Sequence, residues 1–148
     1  MRAVVQRVSR AEVRVGGKAT GKIKHGLCVF LGVHRDDEAE AIGWMAEKLV
    51  NLRIFEDDSG KMNRSLLDVG GSLLVVSQFT LYGDCRKGRR PSFVEAAEPG
   101  KAKSFYEKFI ETARSLGVRT HEGVFQAMMD VELTNQGPVT LVVESRRD

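Results

Sequence analysis

Two uninterrupted apolar runs constrain this chain more than any other feature. They are Gly26-Leu27-Cys28-Val29-Phe30-Leu31-Gly32-Val33 and Leu73-Leu74-Val75-Val76, continuing through Ser77-Gln78-Phe79-Thr80. Neither alternates between apolar and polar residues. A strand reads this way when both of its faces are covered. Two such strands demand apolar layers on either side of a sheet. The sequence offers helices for one layer. Ile42, Met45, Leu49 and Leu52 fall at i, i+3, i+7 and i+10, the spacing of one helical face. Asp36 or Asp37 is placed to cap that helix. A second helix is predicted over 101–116, with Ala102, Phe105, Phe109, Ala113 and Leu116 on one face and Gly117 at its end.

The remaining segments read mostly as strands. Residues 2–15 alternate imperfectly but are rich in valine, and Gly16-Gly17 marks a hairpin with 18–24 returning. Short strands are predicted at 53–56 and 118–120, and a helical turn ending in glycine at 65–71. Two last strands, Met128 to Thr134 and Val139 to Glu144, flank a turn at Asn135-Gln136-Gly137-Pro138. The expected class is α+β. Residues 1–148 form one domain, a mostly antiparallel or mixed, barrel-like sheet with two main amphipathic helices packed on it.

Composition narrows the function classes. A chain of 148 residues, 42% hydrophobic and 29% charged, has material for a real core, which argues against disorder. Two cysteines exclude a disulfide-dense scaffold. Charge inside the first apolar run predicts no secretory leader, and no apolar stretch reaches membrane-spanning length. The expected compartment is the cytoplasm. Net charge is only +3, but the basic residues cluster. Residues 1–24 carry seven of them against Glu12 alone, and Arg86-Lys87-Gly88-Arg89-Arg90 forms a second group. Such clusters suit a polyanion such as RNA, or else make a solvated face.

Several chemistries lack their signatures. There is no phosphate-binding or dinucleotide-binding glycine motif, no H-x-x-x-H and no C-x-x-C. His25, His34 and His121 lie far apart, so no metal site and no cofactor are expected. Cys85 sits beside Arg86 and Lys87 without an evident histidine partner, and Cys28 reads as core.

Two segments stand out. In Ser77-Gln78-Phe79-Thr80-Leu81-Tyr82-Gly83-Asp84 an apolar strand ends in a burst of polar residues. A backbone leaving its ladder there presents hydroxyls and free N–H groups to a ligand or an oxyanion. The plainer reading is a polar strand edge. Thr134-Asn135-Gln136-Gly137-Pro138-Val139-Thr140 is, by its residues alone, a turn. Phe125, in an irregular stretch, is a candidate pocket residue.

Through these two segments and the opening Met1-Arg2-Ala3-Val4-Val5-Gln6-Arg7-Val8, the whole chain resembles the D-aminoacyl-tRNA deacylases, long called D-tyrosyl-tRNA deacylases. The resemblance implies a homodimer acting on aminoacyl-tRNA, with no membrane partner and the site at the subunit interface. It implies cleavage of the ester between a D-amino acid and the 3′-terminal adenosine. The Gly137–Pro138 peptide is expected to be cis, in a loop reaching the partner's site and supported by Arg7. Main-chain oxygens of Gly137 and Pro138 then exclude an L side chain, so glycyl-tRNA is expected to be cleaved as well. Ser77, Gln78, Phe79 and Thr80 line the opposite wall, and Phe125 lies near the adenine. For the chemical step, Thr80 acts as a nucleophile, or Phe79 and Thr80 offer N–H groups while the ribose 2′-hydroxyl assists water. The second account is favoured, because no base is evident beside Thr80. Arg86, Lys87, Arg89 and Arg90 are expected on tRNA phosphates. The competing readings are a non-catalytic RNA-binding module, an esterase using Thr80 or Cys85, and a metal-dependent hydrolase.

Overall fold

The computed structural model describes residues 1–146. Its elements run β1 (Arg2–Val15), β2 (Lys18–Ile23), β3 (Gly26–Gly32), α1 (Glu40–Asn51), β4 (Phe55–Glu56), β5 (Met62–Arg64), α2 (Leu66–Val69), β6 (Ser72–Ser77), a 3₁₀ turn (Phe79–Tyr82), α3 (Pro99–Ser115), β7 (Thr120–Glu122) and β8 (Asp130–Glu144).

β1 organises the sheet. Its first half pairs antiparallel with β3 and its second half with β2, while β8 runs antiparallel along the whole of β1. β3, β6 and β7 continue the sheet in parallel. The sheet is therefore mixed. It also curls until β2 approaches its far side: a Cβ on Gly21 would lie 2.5 Å from the Glu122 carbonyl oxygen. Only glycine permits that approach, and the result is a nearly closed barrel.

Both faces of β3 and β6 are buried, as their sequences require. Leu27, Val29, Leu31, Leu73 and Val75 face a large core shared with the helices, where Met45, Leu49, Phe109 and Ala113 are inaccessible to solvent. Cys28, Leu74 and Val76 face a smaller core with Val8, Ala11, Val13 and Ile23. The imperfect alternation of β1 has a cause. Ala3 and Val5 belong to the large core, Val8, Ala11 and Val13 to the small one, and irregularities in the β1–β8 register on either side of Val8 switch the face. Burying side chains of this kind contributes about 1.5–3 kcal/mol each.

Several predicted boundaries shift. Neither Asp36 nor Asp37 caps α1, which begins at Glu40 behind Ala39 with no side-chain cap. Asp37 is buried elsewhere, 2.7 Å from the Met1 ammonium and accepting the His34 N–H. In α3 the core face is Ala102, Tyr106, Phe109, Ile110 and Ala113, while Phe105 and Leu116 are only partly buried. The second apolar run leaves the sheet at Ser77, because the chain tightens there into the 3₁₀ turn. The short strand expected at 118–120 forms at Thr120–Glu122.

The largest difference concerns residues 134–140. They do not reverse the chain. β8 pairs with β1 on both sides of residues 136–139: Val8 stands opposite Asn135, and Gln6 opposite Thr140. Residues 136–139 therefore oppose Arg7 alone and rise from one continuous strand as a bulge.

Candidate active site

The polar end of β6 builds one wall of a cavity of about 770 Å³. Ser77, Gln78 and Phe79 line it, together with Phe93 and Ala96 from the following loop, Glu98 at the start of α3, and residues Phe125 to Met129. Most of the lining is apolar with a few polar groups, a composition suited to a small organic moiety.

The 3₁₀ turn follows from hydrogen-bond accounting. Gln78 N–H still donates to the Leu31 carbonyl of β3 at 2.8 Å, and its own carbonyl accepts from Leu81 N–H. Among the described residues the N–H groups of Phe79 and Thr80, first in the turn, have no acceptor. A helical start leaves such donors open by construction. Phe79 is half exposed and packs edge-on against Phe93, with ring centroids 5.1 Å apart.

Thr80 itself is exposed and lies outside the cavity lining. Its hydroxyl accepts from the Gln78 side-chain amide, the one partner it has among the described residues. An amide cannot take a proton from a hydroxyl, so Thr80 has no base at hand. Glu98, the carboxylate of the lining, is engaged by the N–H groups of Gly100 and Lys101 as the cap of α3. His34 is buried on the other side of the turn against Tyr82. Its Nδ1 accepts the Asp36 N–H, and burial lowers its pKa. Among the described residues no cluster of three His, Cys, Asp or Glu side chains is arranged to hold a metal ion.

Phe125 sits in the cavity with its ring near Tyr106, whose hydroxyl donates to the Val75 carbonyl. Burial pushes the Tyr106 phenol up, so it stays a neutral donor. Sequence reasoning missed the neighbours of Phe125. Gln126 has φ 63°, a left-handed conformation uncommon outside glycine, and Met128 is 90% exposed at the cavity edge. The irregular stretch after Gly123 was the available signal.

The Gly137–Pro138 peptide is cis. Gln136, Gly137 and Pro138 are exposed and do not line the cavity of their own chain. Their loop is held at its neck. The Asn135 side chain accepts from Val139 N–H and donates to the Thr140 hydroxyl, and Arg7 Nε donates to the Gln136 carbonyl at 3.2 Å. Arg7 is itself 6% exposed, with Nη1 donating to the Ile54 carbonyl at 2.7 Å. So the structure gathers Ser77, Gln78, Phe79 and Phe125 around one cavity and sets Gly137 and Pro138 on a separate projection.

The basic loop is closed by a two-way backbone bridge between Asp84 and Ser92. Asp84 also receives the Arg86 guanidinium through both oxygens, which holds its carboxyl down at about 2. Lys87, Arg89 and Arg90 are exposed beyond this clasp.

Comparison with known proteins places this arrangement. The family described as D-Tyr-tRNA(Tyr) deacylase matches residues 4–144. The chain belongs to that family. A D-aminoacyl-tRNA deacylase of Desulfatibacillum aliphaticivorans is 62% identical over 146 residues, covering 99% of this chain and all of the relative. One from Kosmotoga olearia is 61% identical, covering 99% of each chain. Among solved structures, a "c-Myc DNA Unwinding Element Binding Protein" aligns with a TM-score of 0.94 at 42% identity, over 99% of this chain and 100% of that one. A chain described as "a probable eukaryotic D-amino acid tRNA deacylase" aligns with a TM-score of 0.84 at 18% identity, over 96% and 97%, and so shares the deacylase fold. The barrel with its two main helices is thus the fold of this family.

Proposed function

We propose that this chain hydrolyses the ester joining a D-amino acid to the 3′-terminal adenosine of tRNA, and that it also accepts glycyl-tRNA. The observation that carries the reading is the pair of N–H groups at Phe79 and Thr80 that find no acceptor among the described residues, beside a cavity whose described lining offers no free base. An aminoacyl ester is already activated, so positioning and charge stabilisation suffice. Water adds to the ester carbonyl carbon. The N–H groups receive the negative charge that develops on the carbonyl oxygen. The neighbouring 2′-hydroxyl orients the water and relays its proton. The C–O3′ bond then breaks, and the 3′-oxygen leaves with the proton to give free amino acid and tRNA. Ser77 and Gln78 hold the aminoacyl group, and the adenine lies against Phe125.

Handedness is judged by the loop at Gly137 and Pro138. It lies outside its own cavity, so a second copy supplies it across a homodimer interface. The open edge of β8, with Leu141 and Val142 exposed, offers that copy an apolar strand to pack on. Main-chain oxygens close to Cα exclude an L substituent whatever its chemistry, and glycine has nothing to exclude. Lys87, Arg89 and Arg90, with Arg86 anchoring their loop, contact tRNA phosphates. A cytoplasmic location goes with that substrate. No helix among the described residues is long and apolar enough to cross a membrane.

The test compares cleavage of D-tyrosyl-, L-tyrosyl- and glycyl-tRNA by the pure protein, with and without chelator. Cleavage of the D and glycyl esters alone is expected, insensitive to chelator. Equal resistance of the glycyl and L esters overturns the main-chain mechanism. Thr80→Val is expected to retain hydrolysis, and its loss with tRNA binding intact would make Thr80 the nucleophile. The exposed basic loop also fits a nucleic-acid-binding module without chemistry, which the same assay identifies as binding without cleavage.

A further inference from the structure

The 3₁₀ turn packs closely on the sheet. It lies on β3 at Gly32, where a Cβ would come within 3.0 Å of the Gln78 carbonyl oxygen and 3.3 Å of both Leu81 Cβ and Tyr82 Cδ2. Besides the His34 and Phe93 rings packed on Tyr82 and Phe79, one cationic side chain holds it. Arg2 Nη1 donates to the Leu81 carbonyl at 2.7 Å, and the guanidinium carbon lies 4.7 Å from the centre of the Tyr82 ring. Arg2 Nε pairs with Glu144, its direct cross-strand partner on β8. One planar group thus ties the first residue of β1 and the last of β8 to two residues of the turn.

We propose that Arg2, oriented by Glu144, is a positioning residue that fixes the N–H groups of Phe79 and Thr80 for the reacting carbonyl. The inference rests on the deacylase reading above. Arg2 does not line the cavity, so it acts through the turn. A guanidinium is required because three engagements in three directions must be met at once: a carbonyl, a carboxylate and an aromatic face. A lysine ammonium meets one or two. The turn's internal hydrogen bonds survive without Arg2, so the fold persists while the donors lose their register.

The experiment measures single-turnover hydrolysis of D-tyrosyl-tRNA by wild type, Arg2→Ala, Arg2→Lys and Glu144→Gln, each with a titration of enzyme concentration and a thermal melt. For Arg2→Ala the saturating rate is expected to fall roughly 10²-fold, the effect of a misplacement on the order of 1 Å, with the half-saturating concentration unchanged. Arg2→Lys regains part of the loss through the Leu81 carbonyl. Glu144→Gln, which leaves Arg2 in place, shows a smaller loss of the same kind. A full rate in Arg2→Ala overturns the inference, as does a loss matched by weakened binding or by the unfolded fraction, or a lysine variant no better than alanine. Should Arg2→Ala not fold, a full rate in Glu144→Gln overturns it alone. An inactive wild type overturns the deacylase reading and this inference together, whereas an active wild type with fully active variants overturns the inference only.

Discussion

Arg7 is joined to the main chain of Gln136: its Nε donates to that carbonyl at 3.2 Å, from a position almost wholly inside the protein. The same guanidinium binds the Ile54 carbonyl, and Glu56 lies 4.0 Å away. Arg7 therefore spans the base of the projecting loop and the segment after α1. Arg7→Ala strands the buried Ile54 carbonyl and releases the Gln136 carbonyl of the exposed loop. An unsatisfied buried group costs about 1–3 kcal/mol, so urea unfolding is expected to show a loss in that range. Cleavage of D-tyrosyl-tRNA falls with it. A variant as stable and active as wild type contradicts this role.

Gly137 has φ 128°, and a Cβ there would lie 2.8 Å from Val139 Cγ2, 3.0 Å from Val139 N and 3.1 Å from Arg7 Nη2. Gly137→Ala is expected to cost about 1–3 kcal/mol of stability through that backbone conformation and contact. It also displaces the loop. The ratio of D- to L-tyrosyl-tRNA cleavage is expected to drop, read from parallel single-turnover assays. An unchanged ratio detaches the loop from chirality.

The tip of the basic loop predicts a salt dependence. Removing a phosphate contact reduces the slope of log affinity against log salt by about 0.7–0.9 per contact. Arg89→Ala with Arg90→Ala is expected to flatten that slope for tRNA by up to two contacts. Asp84→Asn is expected to weaken binding less, because it frees the Arg86 clasp rather than removing a cation at the tip. A slope identical to wild type in the double variant removes the loop from tRNA binding.

The two thiols differ sharply. Cys85 is exposed, whereas Cys28 is fully buried in the small core and its thiol is pushed up to about 12. One thiol per chain is expected to react with a maleimide in the native state, and two in urea. The sign of the pH effect follows. The folded value lies above the unfolded one, so the contribution is complete below the unfolded thiol range, near 8.5. It is lost as pH rises toward 12. Replacing Cys28 with alanine should flatten the alkaline arm of the stability curve. Unaltered slopes across that range assign the alkaline loss to other groups.

Much of the barrel was legible in the residues because burial on two faces leaves an unmistakable mark at Leu27–Leu31 and Leu73–Val76. The cavity wall at Ser77–Phe79 was legible for a similar reason, since polarity appears abruptly where the ladder ends, whereas Thr80, expected on the same wall, falls outside the lining. Other features depend on distant partners. Asp37 resembles a helix cap until the Met1 ammonium is folded against it. The cavity needs four separated segments, around residues 31–33, 76–79, 93–102 and 125–131, which no local spacing relates. Arg2 reads as one more cation on a basic strand, and only tertiary folding sets it over Tyr82. Residues 135–138 have the composition of a reversal, and what denies them one is that both flanks zip to the same neighbour.

That arrangement separates two problems which enzymes often have to solve together. Because β8 is pinned to β1 on either side of Arg7, the projecting residues 136–139 are spare as far as the sheet is concerned. Their composition and length can be exchanged without moving the ladder beyond them. The element proposed to sort mirror images is thus a graft on the barrel, open to retailoring while the cavity wall at Ser77–Phe79 stays as built.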